Sequence, residues 1–269
     1  MINQINISEL NMFFNSSKPK HVVIDDFLEP SFASAIESEI KELPLDGATV
    51  YKHFNEDKYG LSKVSIIPKN TVKLLTYLNS PEFIKFVESL TGFNNLISDD
   101  TLNGGGIHIT KRHGFLQPHL DFRAHPRNKN WLRRLNLIIY LNKDWSNSYN
   151  GHLKFYSPDS LKPLVSVAPI FNRCVLFETS EISIHGYPEP LDCPDNVLRL
   201  SLALFYYSIE DHIIHRPTKY FLLPTDNLLT KVSKKIDNYF LNVYHYLRYY
   251  GVLSDKNISY LINLFRSKK

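Results

Sequence analysis

From about Gly105 to Ser208 the apolar residues fall into short runs rich in Ile, Leu, Val, Phe and Tyr, separated by turns of Gly, Pro, Asn and Asp. The runs GGIHIT, FLQPHLDF, RRLNLIIYLN, GHLKFYS, LVSVAP, RCVLFET, SIHGYP and VLRLSLALFYYS predict eight strands, which suits a jelly roll. The flanks read as helical. After a polar leader and a short strand, HVVIDDFL, the segment EPSFASAIESEIKEL places Phe32, Ala35, Ile36, Ile40 and Leu43 at near-helical spacing, with Pro30 in its first turn. A second helix runs from a Ser80 cap and Pro81 through Phe83, Phe86, Val87 and Leu90 to a stop at Gly92. Beyond Pro217 one helix ends at Gly251 and a shorter one starts from Ser254.

With no Gly/Ser linker and no internal repeat, the expected architecture is mainly β with flanking helices (α+β). Residues 1–215 form one unit whose jelly-roll core spans about 102–208, with N-terminal helices packed on its major sheet. Residues 216–269 form a basic, Tyr-rich helical extension packed on it; some fifty residues would be marginally stable alone.

Period-two alternation is also the first clue to chemistry. In QPHLDF, His119 and Asp121 share one face of a strand while Leu120 and Phe122 share the other, so an imidazole and a carboxylate can address one point. His-x-Asp alone is weak evidence. A third imidazole, His185 in SIHGYP, lies where an antiparallel fold can return it beside the first strand. Two His and one carboxylate make the facial triad of non-heme Fe(II) oxygenases, with no thiolate for oxygen to attack. In VLRLSLALFYYS, Arg199, Ser201, Ala203 and Phe205 share a face of a run that is otherwise apolar. A buried arginine is costly unless paired, and either one of the chain's own carboxylates or a bound dianion could satisfy it. His108, His113 and His125 read as surface or structurally satisfied histidines, His125 standing in a turn that could line the mouth of the site.

Composition narrows the class. The 269 residues include only two cysteines, Cys174 and Cys193, too few for a disulfide framework or a structural zinc site. The start of the chain lacks the basic segment and apolar run of a signal peptide, and no transmembrane run is present, so the expectation is a cytoplasmic protein. Net charge is +4, but residues 216–269 hold ten Lys/Arg against three Asp/Glu, and the preceding part 21 against 24. That tail reads as solvated helices packing by their aromatic stripe, a candidate surface for homo-oligomerisation. There is no strong nucleic-acid signal. Arg123, Arg127, Arg133 and Arg134 crowd FRAHPRNKNWLRR, which suits an acidic substrate; solvated loop residues would look the same.

In order, the chain carries His119-x-Asp121, IIYLNKDW, GHLKFY, His185 and Arg199-x-Ser201 over roughly Leu102 to Ser208. In this it resembles the 2-oxoglutarate/Fe(II)-dependent dioxygenases of the prolyl-4-hydroxylase-like superfamily. The resemblance implies a double-stranded β-helix, His119, Asp121 and His185 as iron ligands, and Arg199 as partner of the distal carboxylate of 2-oxoglutarate, with Ser201 adding a hydrogen bond. YLNKDW is similar to the same stretch of hypoxia-type prolyl hydroxylases, which nominates Tyr140 for that carboxylate. If Tyr140 points inward, alternation sends Ile138, Asn136 and Arg134 inward too, Asn136 as a co-substrate or substrate contact, and Leu135, Leu137, Ile139 and Leu141 outward onto helices.

The implied reaction consumes Fe(II)-bound 2-oxoglutarate and O2, releases succinate and CO2 and hydroxylates an unactivated C–H bond, with ascorbate a candidate reductant. Keeping Asp121 favours hydroxylation over the halogenation of relatives that lose this carboxylate. Substrates in the superfamily range from prolyl residues in proteins to small metabolites and sugar-derived molecules. Two departures stand out: Gly151-His152 replaces a double glycine, and fourteen residues separate His185 from Arg199, a longer loop than in many relatives. The alternatives are a cupin-like metal enzyme that does not use 2-oxoglutarate, and a non-catalytic binding module on the same scaffold.

Overall fold

The computed structural model describes residues 1–250, so the helix expected from Ser254 lies outside the described residues. The chain opens with α1 (Ile7–Ser16), β1 (His21–Ile24) and α2 (Pro30–Lys41), followed by the hairpin β2 (Thr49–His53) and β3 (Glu56–Leu61). Next come α3 (Lys69–Leu78), α4 (Pro81–Thr91) and the short β4 (Ile97–Ser98). The β region comprises β5 (Gly106–Thr110), β6 (Phe115–Leu120), β7 (Trp131–Tyr140), β8 (Leu153–Tyr156), β9 (Pro163–Val167), β10 (Arg173–Glu178), β11 (His185–Tyr187) and β12 (Arg199–Ile209). Last are β13 (Lys219–Tyr220) and α5 (Leu228–Tyr249).

All eight runs read as strands are strands, β5 to β12. Every pairing is antiparallel, in the order β1-β10-β7-β12-β5-β3-β6-β11-β8-β9, with β2, β4 and β13 added beside β3, β12 and β6. The two ends of this order fold over one another. Phe155 of β8 and Phe177 of β10 meet edge to face with centroids 5.2 Å apart, closing a jelly roll around a polar interior.

Alternation assigns the two faces. Leu135, Leu137 and Ile139 of β7, with Leu200, Leu202 and Leu204 of β12, turn outward into the main core. There they meet Phe14 of α1, Ile36 of α2, Leu74 of α3 and Phe83 and Val87 of α4, each burial contributing roughly 1.5–3 kcal/mol. Capping follows the expected chemistry on α4: Ser80 Oγ accepts from the Phe83 amide at 3.3 Å, and Gly92 ends the helix at φ +78°.

Three features depart from expectation. The polar leader contains α1, capped by Asn6, with Phe14 fully buried. The hairpin β2–β3 was illegible because its exposed strand carries few apolar residues, yet β3 bridges β5 and β6 and so completes the barrel wall. Most consequential is α5. It turns Lys234, Asp237 and Asn238 to the body and most of its apolar stripe to solvent, against the expected packing, while at its end Tyr249 stacks on His215 with centroids 3.8 Å apart. Lys234 is buried, donating to Gln117 Oε1 and Asp226 Oδ1 at 2.8 Å each, and Asp237 receives His53 Nδ1 at 2.8 Å. Just before it, β13 pairs Tyr220 with His119, so the extension begins as part of the sheet.

Candidate iron and 2-oxoglutarate site

His119 on β6 and His185 on β11 are direct cross-strand partners, which explains how residues sixty-six positions apart meet. Their ring centroids lie 4.4 Å apart, and Asp121 follows two residues after His119 on the same side. Each imidazole is held through its Nδ1, His119 against the Gln117 carbonyl and His185 against the Ser183 carbonyl, both at 2.9 Å. This fixes the tautomer and leaves both Nε2 lone pairs facing Asp121, at 3.6 Å from Oδ1 and Oδ2 respectively. Two donors bound about 2.0–2.2 Å from a shared ion stand roughly 3–4 Å apart, so the spacing fits a metal better than direct hydrogen bonds. All three ligand atoms lie within 4.8 Å of one another.

The electrostatics suit a cation. Burial, reinforced by His119, pulls His185 down to about 4, so its imidazole is neutral at physiological pH. Burial alone would raise the Asp121 carboxyl, but Arg133 and then His185 and His119 hold it well below the usual carboxylate range. Asn136, expected as a co-substrate or substrate contact, donates to Asp121 Oδ2 at 2.5 Å and accepts from Thr179 at 3.3 Å. It orients the carboxylate ligand.

The co-substrate end is built on β7 and β12, where Ser201 lies opposite Tyr140. Arg199 is 4% exposed; its Nε donates to the Gly151 carbonyl at 2.8 Å and its Nη2 to the Tyr140 hydroxyl at 3.4 Å. Its guanidinium lies 4.0 Å from the Tyr187 ring centroid. Among the described residues no carboxylate pairs with it, which removes the reading in which Arg199 serves an internal salt bridge. Gly151 is the one glycine of the expected pair that remains, and the site requires it. Its φ is +73°, and a Cβ there would stand 2.7 Å from Leu191 and 3.1 Å from the Arg199 side chain. The long loop after His185 thus has a structural part: fully buried Leu191 packs over Gly151, and its backbone pairs with His113 and Gly114 at 2.8 and 3.0 Å.

Two expectations need correction. Arg134 does not point inward. The β7–β12 register slips at this position, pairing Tyr206 with Leu135 but Tyr207 with Arg133, so Arg134 is the extra residue of a β-bulge. The bulge sends Arg134 outward to Ser208 and Glu210 and turns Arg133 in. Arg133 is 1% exposed and clamped between Phe122 and Phe205, whose ring centroids lie 3.7 and 3.6 Å from the guanidinium carbon. Its Nη1 approaches Asp121 Oδ1 at 3.1 Å, while the guanidinium makes no well-formed hydrogen bond. His125 does not line the mouth either. It is fully buried, paired with Asp99 at 3.3 Å, and its Nδ1 accepts the Asn128 amide at 3.0 Å, locking the turn.

Sequence reasoning also missed three groups. Lys58 and Glu56 of β3 form a 3.1 Å ion pair near His108, whose imidazole burial and Lys58 push down to about 3. Tyr220 of β13 meets the His119 ring at a tilt, with centroids 5.5 Å apart. Arg216, whose Nε and Nη1 are buried without a hydrogen bond, shares Glu181 with Arg123 at 3.5 Å.

Comparison with known proteins agrees with this geometry. Residues 105–207 match the 2OG-Fe(II) oxygenase superfamily. A mouse protein, prolyl 3-hydroxylase OGFOD1, is 33% identical over 96 residues, 34% of this chain; the chain spans 17% of that relative's length. The prolyl hydroxylase of Trichoplax adhaerens, solved with a hypoxia inducible factor peptide, superposes with a TM-score of 0.55 at 16% identity, covering 75% of this chain and 90% of that one. HygX of Streptomyces hygroscopicus, solved with nickel, 2-oxoglutarate and hygromycin B, gives 0.51 at 13% identity over 74% and 86%. Residues 105–207 thus match the 2OG-Fe(II) oxygenase superfamily, and the fold is the double-stranded β-helix shared with the Trichoplax prolyl hydroxylase. Fe(II) and 2-oxoglutarate are the cofactor and co-substrate of that family.

Proposed function

We propose that this protein is a 2-oxoglutarate-dependent hydroxylase in which His119, Asp121 and His185 hold Fe(II) and Arg199, Tyr140 and Ser201 hold the distal carboxylate of 2-oxoglutarate. One observation carries the reading: three convergent ligand atoms share a barrel interior with a buried arginine that no carboxylate of the described chain neutralises. When bound, Fe(II) and 2-oxoglutarate supply O2-dependent oxidation coupled to release of succinate and CO2, giving hydroxylation of an unactivated C–H bond. The chain's own contribution is placement. Asn136 and Arg133 each hold one oxygen of Asp121, and the backbone carbonyls of Gln117 and Ser183 keep both imidazoles aimed at the same point.

The substrate reading rests on the mouth. Arg133 and Arg216 present buried N–H groups without hydrogen bonds, so a substrate that brings acceptors satisfies them. A prolyl residue in an extended peptide, supplying carbonyls and adjoining acidic side chains, fits this and the similarity to OGFOD1. The likeness to HygX supports the second class, a sugar-derived small molecule. Cys174 and Cys193 are both buried and unpaired, which supports a reducing, cytoplasmic setting, and among the described residues no helix is long and apolar enough to cross a membrane.

Succinate release tests the reading. Purified protein with Fe(II), 2-oxoglutarate and ascorbate is offered proline-containing peptides with acidic or basic neighbours, alongside aminoglycosides. Substrate-dependent succinate with a mass gain of one oxygen, strongest for acidic peptides, is the expected result. Metal-dependent turnover without 2-oxoglutarate would favour the cupin-like alternative; no turnover and no 2-oxoglutarate binding would favour the non-catalytic module.

A further inference from the structure

Three arginines stand side by side next to the candidate iron site. The backbone pairing that sets Tyr220 opposite His119 continues beyond β13, where the Arg123 amide donates to the Arg216 carbonyl at 2.9 Å. On its other side the Arg133 amide donates to the Arg123 carbonyl, also at 2.9 Å. Arg216, Arg123 and Arg133 are therefore cross-strand neighbours on three adjacent segments. Period two turns Arg123 to the side of His119 and Asp121, and Arg216 to the side of Tyr220, whose ring meets His119. Like charges at such positions repel, and the chain answers them sparsely. Arg133 has Asp121 at 3.1 Å, but that carboxylate is a proposed metal ligand. Arg123 and Arg216 share one oxygen of Glu181 at 3.5 Å from each, beyond the roughly 2.7–2.9 Å of a charge-assisted hydrogen bond. The Glu181 side chain is 61% exposed, in the turn before His185. Burial, with Arg123 and Arg133 adding to it, lowers the Arg216 guanidinium below its ordinary range despite Glu181 and Asp121.

We propose that Arg216 and Arg123 form a subsite for a substrate carboxylate, which Glu181 fills until an acidic side chain of the substrate takes its place. The inference rests on the hydroxylase reading and names the anchor of its acidic substrate. A carboxylate is the group that fits, because one already lies between the two guanidiniums. Glu181 leaves Nε and Nη1 of Arg216 without a hydrogen bond, and an incoming carboxylate can offer an oxygen to each. Arg123 stands two residues beyond Asp121, about 7 Å along an extended chain, so the acidic residue falls within two positions of the oxidised one.

Titration calorimetry of the full chain, without added iron or 2-oxoglutarate, tests the subsite. The probes are two end-blocked peptides of Gly and Ala around a central Pro, flanked by Asp in one and by Asn in the other. The Asp peptide should bind roughly tenfold tighter than the Asn peptide, the contribution of one charge-assisted hydrogen bond. Arg216→Gln should abolish that preference; should it misfold, Arg123→Gln at a more exposed position should do the same. Glu181→Gln removes the resident competitor and should tighten the Asp peptide about 2- to 5-fold, leaving the Asn peptide unchanged. Equal binding of the two peptides by the unaltered chain, or binding of neither, overturns the proposal. So does a preference that survives both arginine changes, or a Glu181→Gln chain that binds the Asp peptide no more tightly. Adding Fe(II), 2-oxoglutarate and O2 separates the subsite from the hydroxylase reading. Charge-selective binding without succinate release leaves the subsite standing and removes the hydroxylase, whereas succinate released equally with either peptide keeps the hydroxylase and removes the subsite.

Discussion

The interior of the jelly roll and the outer face of α5 both carry residues of the wrong polarity for where they lie. Inside the barrel, Arg133, Arg199, Lys58 and Asp121 sit where a β-sandwich would bury aliphatic side chains; on α5, Leu229, Ile236 and Val243 stand in water. The difference lies in what each region is built to receive. In the interior two Nε2 atoms and a carboxylate converge on one point, and Arg199 aims its guanidinium where no carboxylate of the described chain meets it. The helix offers only area. Polar groups of fixed geometry call for a ligand of defined chemistry, whereas an apolar seam calls for any surface of matching shape and period.

The largest expected effect breaks the interior. His119→Ala removes one of the three proposed ligands and leaves only Asp121 and His185 to hold the metal, so iron retention is lost and succinate release falls to the rate without enzyme; metal analysis of the purified variant and a succinate assay check both. Loss of iron with retained turnover would reassign the chemistry. Next is Arg199→Ala. A charge-assisted contact to a carboxylate contributes about 1.5–3 kcal/mol, so the 2-oxoglutarate requirement rises roughly 10- to 150-fold while iron still binds. Arg199→Lys should restore only part of this, because the Gly151 and Tyr140 bonds use separate edges of the guanidinium.

The same interior sets a pH dependence in the metal-free protein. His185 takes up a proton near 6.5 in the unfolded chain and only at about 4 in the native one. Between those values the unfolded state binds more protons, so the stability this neutral imidazole confers is complete above pH 6.5 and is lost as pH falls through about 4, on the order of 3 kcal/mol. Urea melts of metal-free protein across that window should show the decline, and His185→Asn should flatten it. Smaller again is Asn136→Ala, which frees one oxygen of Asp121 and is expected to weaken iron binding 10- to 100-fold without unfolding the barrel. Iron titration followed by the quenching of intrinsic fluorescence measures it.

What could be read from residues alone follows the same division. The strands from Gly106 to Ile209 and the outward leucines of β7 and β12 were legible because burial on one face enforces a period of two, and His119-x-Asp121 and Arg199-x-Ser201 because each pair obeys that period locally. The period fails where one residue is inserted. The bulge at Arg134 exchanged the two arginines, and nothing in Arg133-Arg134 marks which one is extra. The β2–β3 hairpin stayed hidden because Lys58 and Glu56 satisfy each other inside the barrel and leave no hydrophobic signal. For α5 the stripe was visible but its direction was not, since apolar residues at helical spacing read the same whether they point into a body or away from it.

The smallest expected effect tests that direction. Lys234 is 3% exposed and reaches Gln117 and both oxygens of Asp226 at 2.8–2.9 Å, so its ammonium marks the side of α5 that faces the barrel. Lys234→Met keeps the length of the side chain and removes its charge, leaving Gln117 and Asp226 to find other partners. The cost is about 1–3 kcal/mol, felt as roughly 5- to 150-fold faster hydrogen exchange of α5 amides with the amides of β7 and β12 unchanged. If α5 were held to the barrel by its aromatic stripe, the same change would add apolar area on a solvent face and leave exchange as it was. Faster exchange confined to α5 means that these polar bonds hold the helix to the barrel.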